Sequence, residues 1–134
     1  LPISPLVATH SNAHTLCPQP RNLTDRQLLA IRDSGGVAGV NFGNAFLRTD
    51  GKRDSDTPLS TIVRHIDYLI NIMGDDHVAL GSDFDGITLP DDLHDVSGLP
   101  RLISALRDSG YDQFVLNKLL WGNWQKVLQN VWQQ

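Results

Sequence analysis

The sequence has a single cysteine, no long apolar run and no cluster of basic residues, and each shortage excludes a class of protein. Cys17 alone cannot form a disulfide within the chain, so nothing here requires an oxidising compartment. No apolar stretch is long enough to span a bilayer. The formal net charge of -4 provides no electrostatic surface for nucleic acid. We therefore expect no nucleic-acid partner and no membrane segment in this chain.

The chain begins at Leu1, without a methionine, and runs directly into a strand-like segment. This start indicates a piece of a longer polypeptide, so an N-terminal targeting signal could be missing. The compartment stays open, and a cytoplasmic location is favoured. With 40% of its residues hydrophobic and 19% charged, the chain has enough apolar content for one globular core.

Three short apolar segments, each followed by a helical pattern, predict three strand–helix units. The predicted strands are residues 6–9, 37–42 and 78–81. Thr24 begins the first helix with a capping box, and Thr57 is expected to cap the second helix, with Pro58 in its first turn. Residues 43–56 are expected to be loop. Three further helices are predicted: one around 99–106 that ends before Gly110, a short one capped by Asp112, and one after Gly122 with Trp124, Val127, Leu128, Val131 and Trp132 on one face.

Alternating strands and helices predict an α/β fold with a parallel sheet and right-handed crossovers. Two architectures fit the pattern: a small doubly wound sheet, and a piece of an eight-stranded barrel, which needs about 250 residues when complete. In both, active sites form where the strands end.

Polar side chains follow each predicted strand. His10 follows the first, Asn41 ends the second, and Asp83 and Asp85 follow the third. The carboxyl ends of parallel strands share one edge of a sheet, so these side chains predict a site at that edge. His10 suits a zinc ligand or a hydrogen-bonded loop histidine.

For most of the other polar residues the structural interpretation is the stronger one. Arg21 suits either a carboxylate clamp or a solvated surface position, and Asp83 with Asp85 either a cation site or a simple turn. Asn22 begins a glycosylation sequon that overlaps the capping box, so we interpret it as structural. Cys17 is expected to pack as a small hydrophobic residue. The remaining histidines are assigned structural or solvent roles, with His65 expected on the polar side of its helix: His14, His65, His77 and His94.

Taken together, these motifs resemble the membrane dipeptidase (renal dipeptidase) family. Order and approximate spacing agree over nearly the whole chain. The segments that carry the resemblance are Ala8-Thr9-His10-Ser11-Asn12-Ala13, Arg21-Asn22-Leu23-Thr24-Asp25, Gly36-Val37-Ala38-Gly39-Val40-Asn41-Phe42, His65-Ile66-Asp67-Tyr68, Gly81-Ser82-Asp83-Phe84-Asp85-Gly86 and Trp121-Gly122-Asn123-Trp124.

The resemblance implies a zinc-dependent hydrolase that cleaves dipeptides with two Zn²⁺ ions. His10 matches a zinc ligand, and Arg21 matches the residue that binds the substrate carboxylate. Asp83 matches the residue that binds the substrate amino group and assists proton transfer. Phe46 falls where the family often places an aromatic near the substrate side chain. The expected partners are a dipeptide and, as an assembly the family allows, a second copy in a homodimer.

The resemblance also implies that residues 1–134 are the C-terminal portion of one (β/α)8 TIM-type barrel domain. This portion would hold three strand–helix units plus C-terminal helices, without the N-terminal half. The family's other zinc ligands lie before the matched region, so the chain alone is expected to be inactive. The alternatives are a catalytically inactive remnant with a structural or binding role, and a small α/β binding domain with an accidental similarity.

Overall fold

The computed structural model describes residues 4–54, 56–82, 90–91, 93 and 98–132. Within these ranges, three parallel strands form one sheet in the order β1–β2–β3. They are β1 (Val7–Ala8), β2 (Val37–Asn41) and β3 (Val78–Ser82). Ala38 of β2 pairs with Ala8 on one side and with Val78 on the other.

Helical segments connect and follow these strands. They are α1 (Asp25–Asp33), α2 (Asn44–Leu47), α3 (Leu59–Met73), α4 (Leu99–Asp108), α5 (Gln113–Asn117), a π turn (Lys118–Gly122) and α6 (Asn123–Trp132). In the described parts of the chain, no helix combines the length and the apolarity needed to cross a membrane.

The main core lies between one face of the sheet and the helices α1, α3 and α4. Alternate residues of β2 point into it, because successive side chains of a strand face opposite ways. Ala38 and Val40 contribute from the sheet, and Leu28 and Ile66 from α1 and α3. The two crossover helices therefore share one side of the sheet. Strands β1 to β3 lie in sequential order and lack the reversal that defines a doubly wound sheet.

The opposite face of the sheet is covered by α6 near the points where the strands begin. Val37 and Ala79 form a second cluster with Val127, and Trp124 packs against it. The Asn123 side-chain amide, which is buried, donates to the Val78 carbonyl oxygen at 2.8 Å. The last helix thus covers this face where the strands begin, and its Trp124 ring reaches Gly39 and Leu80 in the middle of the strands.

The capping box predicted at Thr24 is present. The Thr24 hydroxyl accepts from the Gln27 amide at 3.3 Å, and the Gln27 side chain accepts from the Thr24 amide at 2.9 Å. The cap predicted at Thr57 is wrong. Pro58 occupies the N-cap position of α3, and the Thr57 hydroxyl instead donates to the Asp54 carbonyl oxygen at 2.6 Å.

Other sequence expectations need correction. The expected loop 43–56 contains the short helix α2. Gly122 does not separate two helices, because the π turn joins α5 to α6 without a break. Leu128, which belongs to the apolar face predicted for the last helix, is 49% exposed. The expected strand 6–9 is only two residues long, and Leu6 and Val7 are exposed instead of buried.

Candidate active site at the carboxyl end of the sheet

The segment that carries His10 crosses directly over β2 and β3. The Ser11 amide donates to the Gly39 carbonyl oxygen at 2.9 Å. A Cβ atom at Gly39 or at Gly81 would overlap the Thr9 carbonyl oxygen. Because neither glycine has a side chain, this segment can lie directly against the sheet. The close approach fixes the position of the backbone just before His10.

The His10 imidazole is partly buried, and its Nδ1 atom has no hydrogen-bond partner among the described residues. A buried polar atom without a partner costs about 1–3 kcal/mol, so such an atom in a native protein calls for an explanation. A metal ion would supply one, because a neutral imidazole nitrogen is a good zinc ligand. The described residues nowhere bring three or more His, Cys, Asp or Glu side chains together as a metal site. His10 therefore fits as one ligand of a site completed by groups outside this part of the chain.

Two buried asparagines attach the His10 segment to the end of β2. The Asn12 side chain donates to the Asn41 carbonyl oxygen at 2.8 Å and accepts from the Asn41 amide at 2.7 Å. The Asn41 side chain donates to the His10 carbonyl oxygen at 3.3 Å. These reciprocal bonds fix the backbone at His10 and just after it relative to the strand.

A third buried asparagine, Asn22, attaches the part of the loop that carries Arg21. Its side-chain oxygen accepts from the Asn12 amide at 3.0 Å, and its nitrogen donates to the Phe46 carbonyl oxygen at 3.0 Å. Asn12 donates to the same Phe46 oxygen, also at 3.0 Å. The structural interpretation of Asn22 is confirmed, since its amide is buried and engaged within the protein.

The Arg21 side chain is exposed at the same loop. Its guanidinium carbon lies 5.2 Å from the centre of the Phe46 ring. In the described parts of the chain, no carboxylate forms an ion pair with Arg21. Its planar fork of N–H donors therefore remains available for an external carboxylate.

His65 of α3 forms a hydrogen bond to the loop that carries His10. Sequence placed it on the polar side of α3, and this is wrong: the side chain is fully buried. Its Nδ1 atom accepts from the Ala13 amide at 3.3 Å, and its Nε2 atom donates to the Leu47 carbonyl oxygen at 2.9 Å. Burial, the main cause, and the nearby charge of Arg64 lower the pKa of His65 to about 4. The imidazole is thus neutral near pH 7 and joins the His10 loop to α2.

The model of the membrane dipeptidase family (peptidase family M19) matches residues 3–134. The chain belongs to this family. It is 85% identical over 98% of its length to an uncharacterized protein encoded in the pqqA 5′ region of Klebsiella pneumoniae. It is 36% identical over 96% of its length to dipeptidase ataJ of Aspergillus terreus. The resemblance inferred from the sequence is therefore confirmed.

A solved metallo peptidase has the same fold over nearly all of this chain. The metallo peptidase from Rhodobacter sphaeroides, liganded with a phosphinate mimic of the dipeptide L-Ala-D-Ala, superposes with a TM-score of 0.92. It is 52% identical over 94% of this chain. The chain spans 48% of the Klebsiella relative, 31% of the Aspergillus dipeptidase and 36% of the Rhodobacter peptidase. Each of these relatives is thus at least about twice as long as this chain.

The other polar residues singled out by sequence divide into two groups. Asp83, Asp85 and His94 lie outside the described residues. Cys17 is buried as expected, and its thiol contacts the Ala45 carbonyl oxygen at 3.2 Å. Burial raises the pKa of the Cys17 thiol, with Asp50 as a second cause, so Cys17 is not an activated nucleophile.

His77 lies at the end of the sheet opposite to the site, and His14 lies in the loop after β1. His77 hydrogen-bonds through Nδ1 to the Gly36 carbonyl oxygen at 2.8 Å, where β2 and β3 begin, so its structural assignment is confirmed. His14 is partly buried in the loop after β1, and its amide donates to the Leu23 carbonyl oxygen at 2.8 Å.

Proposed function

We propose that this chain supplies one metal ligand and the substrate-binding residues of a zinc-dependent dipeptidase. His10 would bind zinc, Arg21 the carboxylate of the dipeptide, and Asp83 its amino group. The observation that carries the proposal is the loop after β1. Among the residues that the structure describes, it presents a buried imidazole nitrogen without a hydrogen-bond partner and an arginine without an ion pair, both from one hydrogen-bonded unit. Such a loop is prepared for ligands that come from outside it.

The substrate class rests on the relatives. One is a dipeptidase, and a solved neighbour was captured with a mimic of L-Ala-D-Ala. A dipeptide carries a positive and a negative end at one fixed separation. Arg21 and Asp83 would bind these two ends, and longer peptides would fail because their charges lie further apart.

His10 is the residue of this chain that would hold a metal. When bound, zinc supplies a Lewis acid that polarises the scissile carbonyl and lowers the pKa of water. Arg21 would orient the substrate through two parallel hydrogen bonds to its carboxylate. The Asp83 carboxylate would accept hydrogen bonds from the substrate ammonium and take part in proton transfer.

We further propose that residues 1–134 form three strand–helix units of a (β/α)8 barrel. The sequential parallel order of β1, β2 and β3, with both crossover helices on one side, supports this arrangement. So does the share of the relatives' length that the chain spans. The outer edge of β1 would then adjoin a strand from the rest of the barrel.

The substrate assignment is tested by Arg21→Ala and Asp83→Asn in the full-length protein. Each is expected to lower kcat/KM for a dipeptide by about 10- to 100-fold, because a charge-assisted hydrogen bond to the substrate is lost. Arg26→Ala is the matched control, since Arg26 is an exposed arginine of the adjacent helix α1. Wild-type kinetics in both test variants would contradict the assignment.

The metal assignment of His10 is tested by measuring zinc content. His10→Ala in the same protein is expected to retain fewer than two equivalents of zinc after dialysis. His77→Ala is the control, because His77 is bonded to the protein backbone. Two full equivalents retained by His10→Ala would rule out His10 as a ligand.

A further inference from the structure

The contact between Arg21 and Phe46 has a property that an ion pair would lack. An exposed arginine has many rotamers, and holding it in one of them costs up to about 2 kcal/mol of conformational entropy. A ring face attracts the guanidinium through its quadrupole and leaves the N–H donors unused. With the guanidinium carbon 5.2 Å from the ring centre, the Phe46 side chain restrains Arg21 without competing for its donors.

Phe46 is itself fixed to the backbone segment that carries Arg21. Its carbonyl oxygen accepts one side-chain hydrogen bond from Asn12 and one from Asn22, both at 3.0 Å. Asn22 directly follows Arg21 and is 3% exposed. The Phe46 backbone and the backbone next to Arg21 are therefore joined through the Asn22 side-chain amide. This linkage fixes the points from which the ring and the arginine side chain extend toward their contact.

We propose that Phe46 is a positioning residue that presents the Arg21 guanidinium to the carboxylate of the substrate. The inference rests on the proposed function of Arg21 and adds a specificity determinant to it. Phe46 acts through Arg21, so its effect is confined to ligands that carry a free carboxylate. A ligand with a neutral carboxamide at that end gains nothing from it.

The test uses the zinc-loaded holoenzyme and two probes: a phosphinate dipeptide mimic with a free C-terminal carboxylate, and the same compound as its C-terminal carboxamide. Phe46→Leu is expected to weaken binding of the carboxylate probe about two- to fivefold, the range of an exposed cation–π contact. Its Kd for the carboxamide probe is expected to stay unchanged. Phe46→Trp retains an aromatic face and is expected to bind both probes like the wild type.

Phe114→Leu is the matched control. The Lys118 ammonium lies 4.6 Å from the centre of the Phe114 ring, a comparable contact on α5, and its loss should leave both affinities unchanged. Equal weakening of both probes by Phe46→Leu would overturn the proposal, because it would reflect direct contact of the ring with the ligand or a general change of structure, and not an effect through Arg21. Unchanged binding of both probes would also overturn it. If the wild type itself binds the two probes equally, the role of Arg21 fails and the inference fails with it.

Discussion

His65 is the residue whose environment has the clearest consequence for stability. Its pKa is about 4 in the folded protein, against about 6.5 in an unfolded chain. Between these values the unfolded state binds the proton more tightly, so acidification favours unfolding. The stability from the neutral imidazole is fully present above about pH 6.5. It falls as the pH drops towards 4, by about 3 kcal/mol in total.

We expect His65→Gln to flatten this part of the stability profile. Glutamine can still accept from the Ala13 amide and donate to the Leu47 carbonyl oxygen, but it does not titrate between pH 4 and 7. The measurement is the free energy of unfolding by urea at several pH values in this range. His77→Gln is the comparison variant, and it should keep the wild-type profile. A His65→Gln profile as steep as that of the wild type would show that other groups cause the pH dependence.

At this scale, sequence points to the candidate ligands but not to all of the residues that hold them. His10 and Arg21 are recognisable because their types and spacing resemble those of a known family. Asn22, directly after Arg21, is recognisable as structural from the capping box that overlaps it, but nothing in the local pattern of Asn12, two residues after His10, distinguishes a buried asparagine from a loop asparagine. His65 was misplaced because helical periodicity allots polar residues to the solvent side. Its two backbone partners lie 52 and 18 residues away in sequence.

Strand β2 contains a position, Gly39, that leaves no room for a side chain. Gly39→Ala would put a Cβ atom into the Thr9 carbonyl oxygen and against the Trp124 ring. We expect it to lower the free energy of unfolding by about 1–3 kcal/mol, the usual cost of overpacking, and to displace the His10 segment. The measurement is denaturant unfolding together with zinc content.

Gly122→Ala is the control for this variant. A Cβ atom at Gly122 would lie 3.4 Å from the Asn117 carbonyl oxygen, an ordinary contact, and alanine favours helix over glycine by up to about 1 kcal/mol. Its stability should equal or exceed that of the wild type. If Gly39→Ala proved as stable as Gly122→Ala, the close approach of Thr9 would not constrain β2.

The elements themselves were predictable where they are long and periodic. The apolar stripe of α3 and the capping box of α1 specify their helices locally. Helix α2 has only four residues, too few for a periodic signal. The continuity of α5 and α6 was not predictable, because glycine usually follows the end of a helix, whereas Gly122 lies inside the π turn that joins the two. Tertiary contacts decide such cases, and a single sequence does not show them.

For the whole molecule, we expect residues 1–134 produced alone to bind fewer than two zinc equivalents and to show no dipeptide hydrolysis. The physical reason is that His10 is the single ligand that this chain is proposed to contribute. Joining the same residues to the remainder of the Klebsiella pneumoniae relative, of which the chain spans 48%, should supply the other ligands. The measurements are zinc content and dipeptide turnover for both polypeptides. Dipeptide turnover by residues 1–134 alone would show that the site is complete without them.

The two ends of this sheet have different roles in the protein. Where the strands begin, Trp124 and Val127 of α6 pack on Val37 and Ala79. Where they end, three buried asparagines hold the loop that carries His10 and Arg21, the proposed ligand-binding side chains. Mutations where the strands begin would act mainly on the stability of the folded protein. Mutations where the strands end would act mainly on ligand binding. Substrate preference could therefore evolve through substitutions at one end of these strands, while the packing at the other end continues to stabilise the fold.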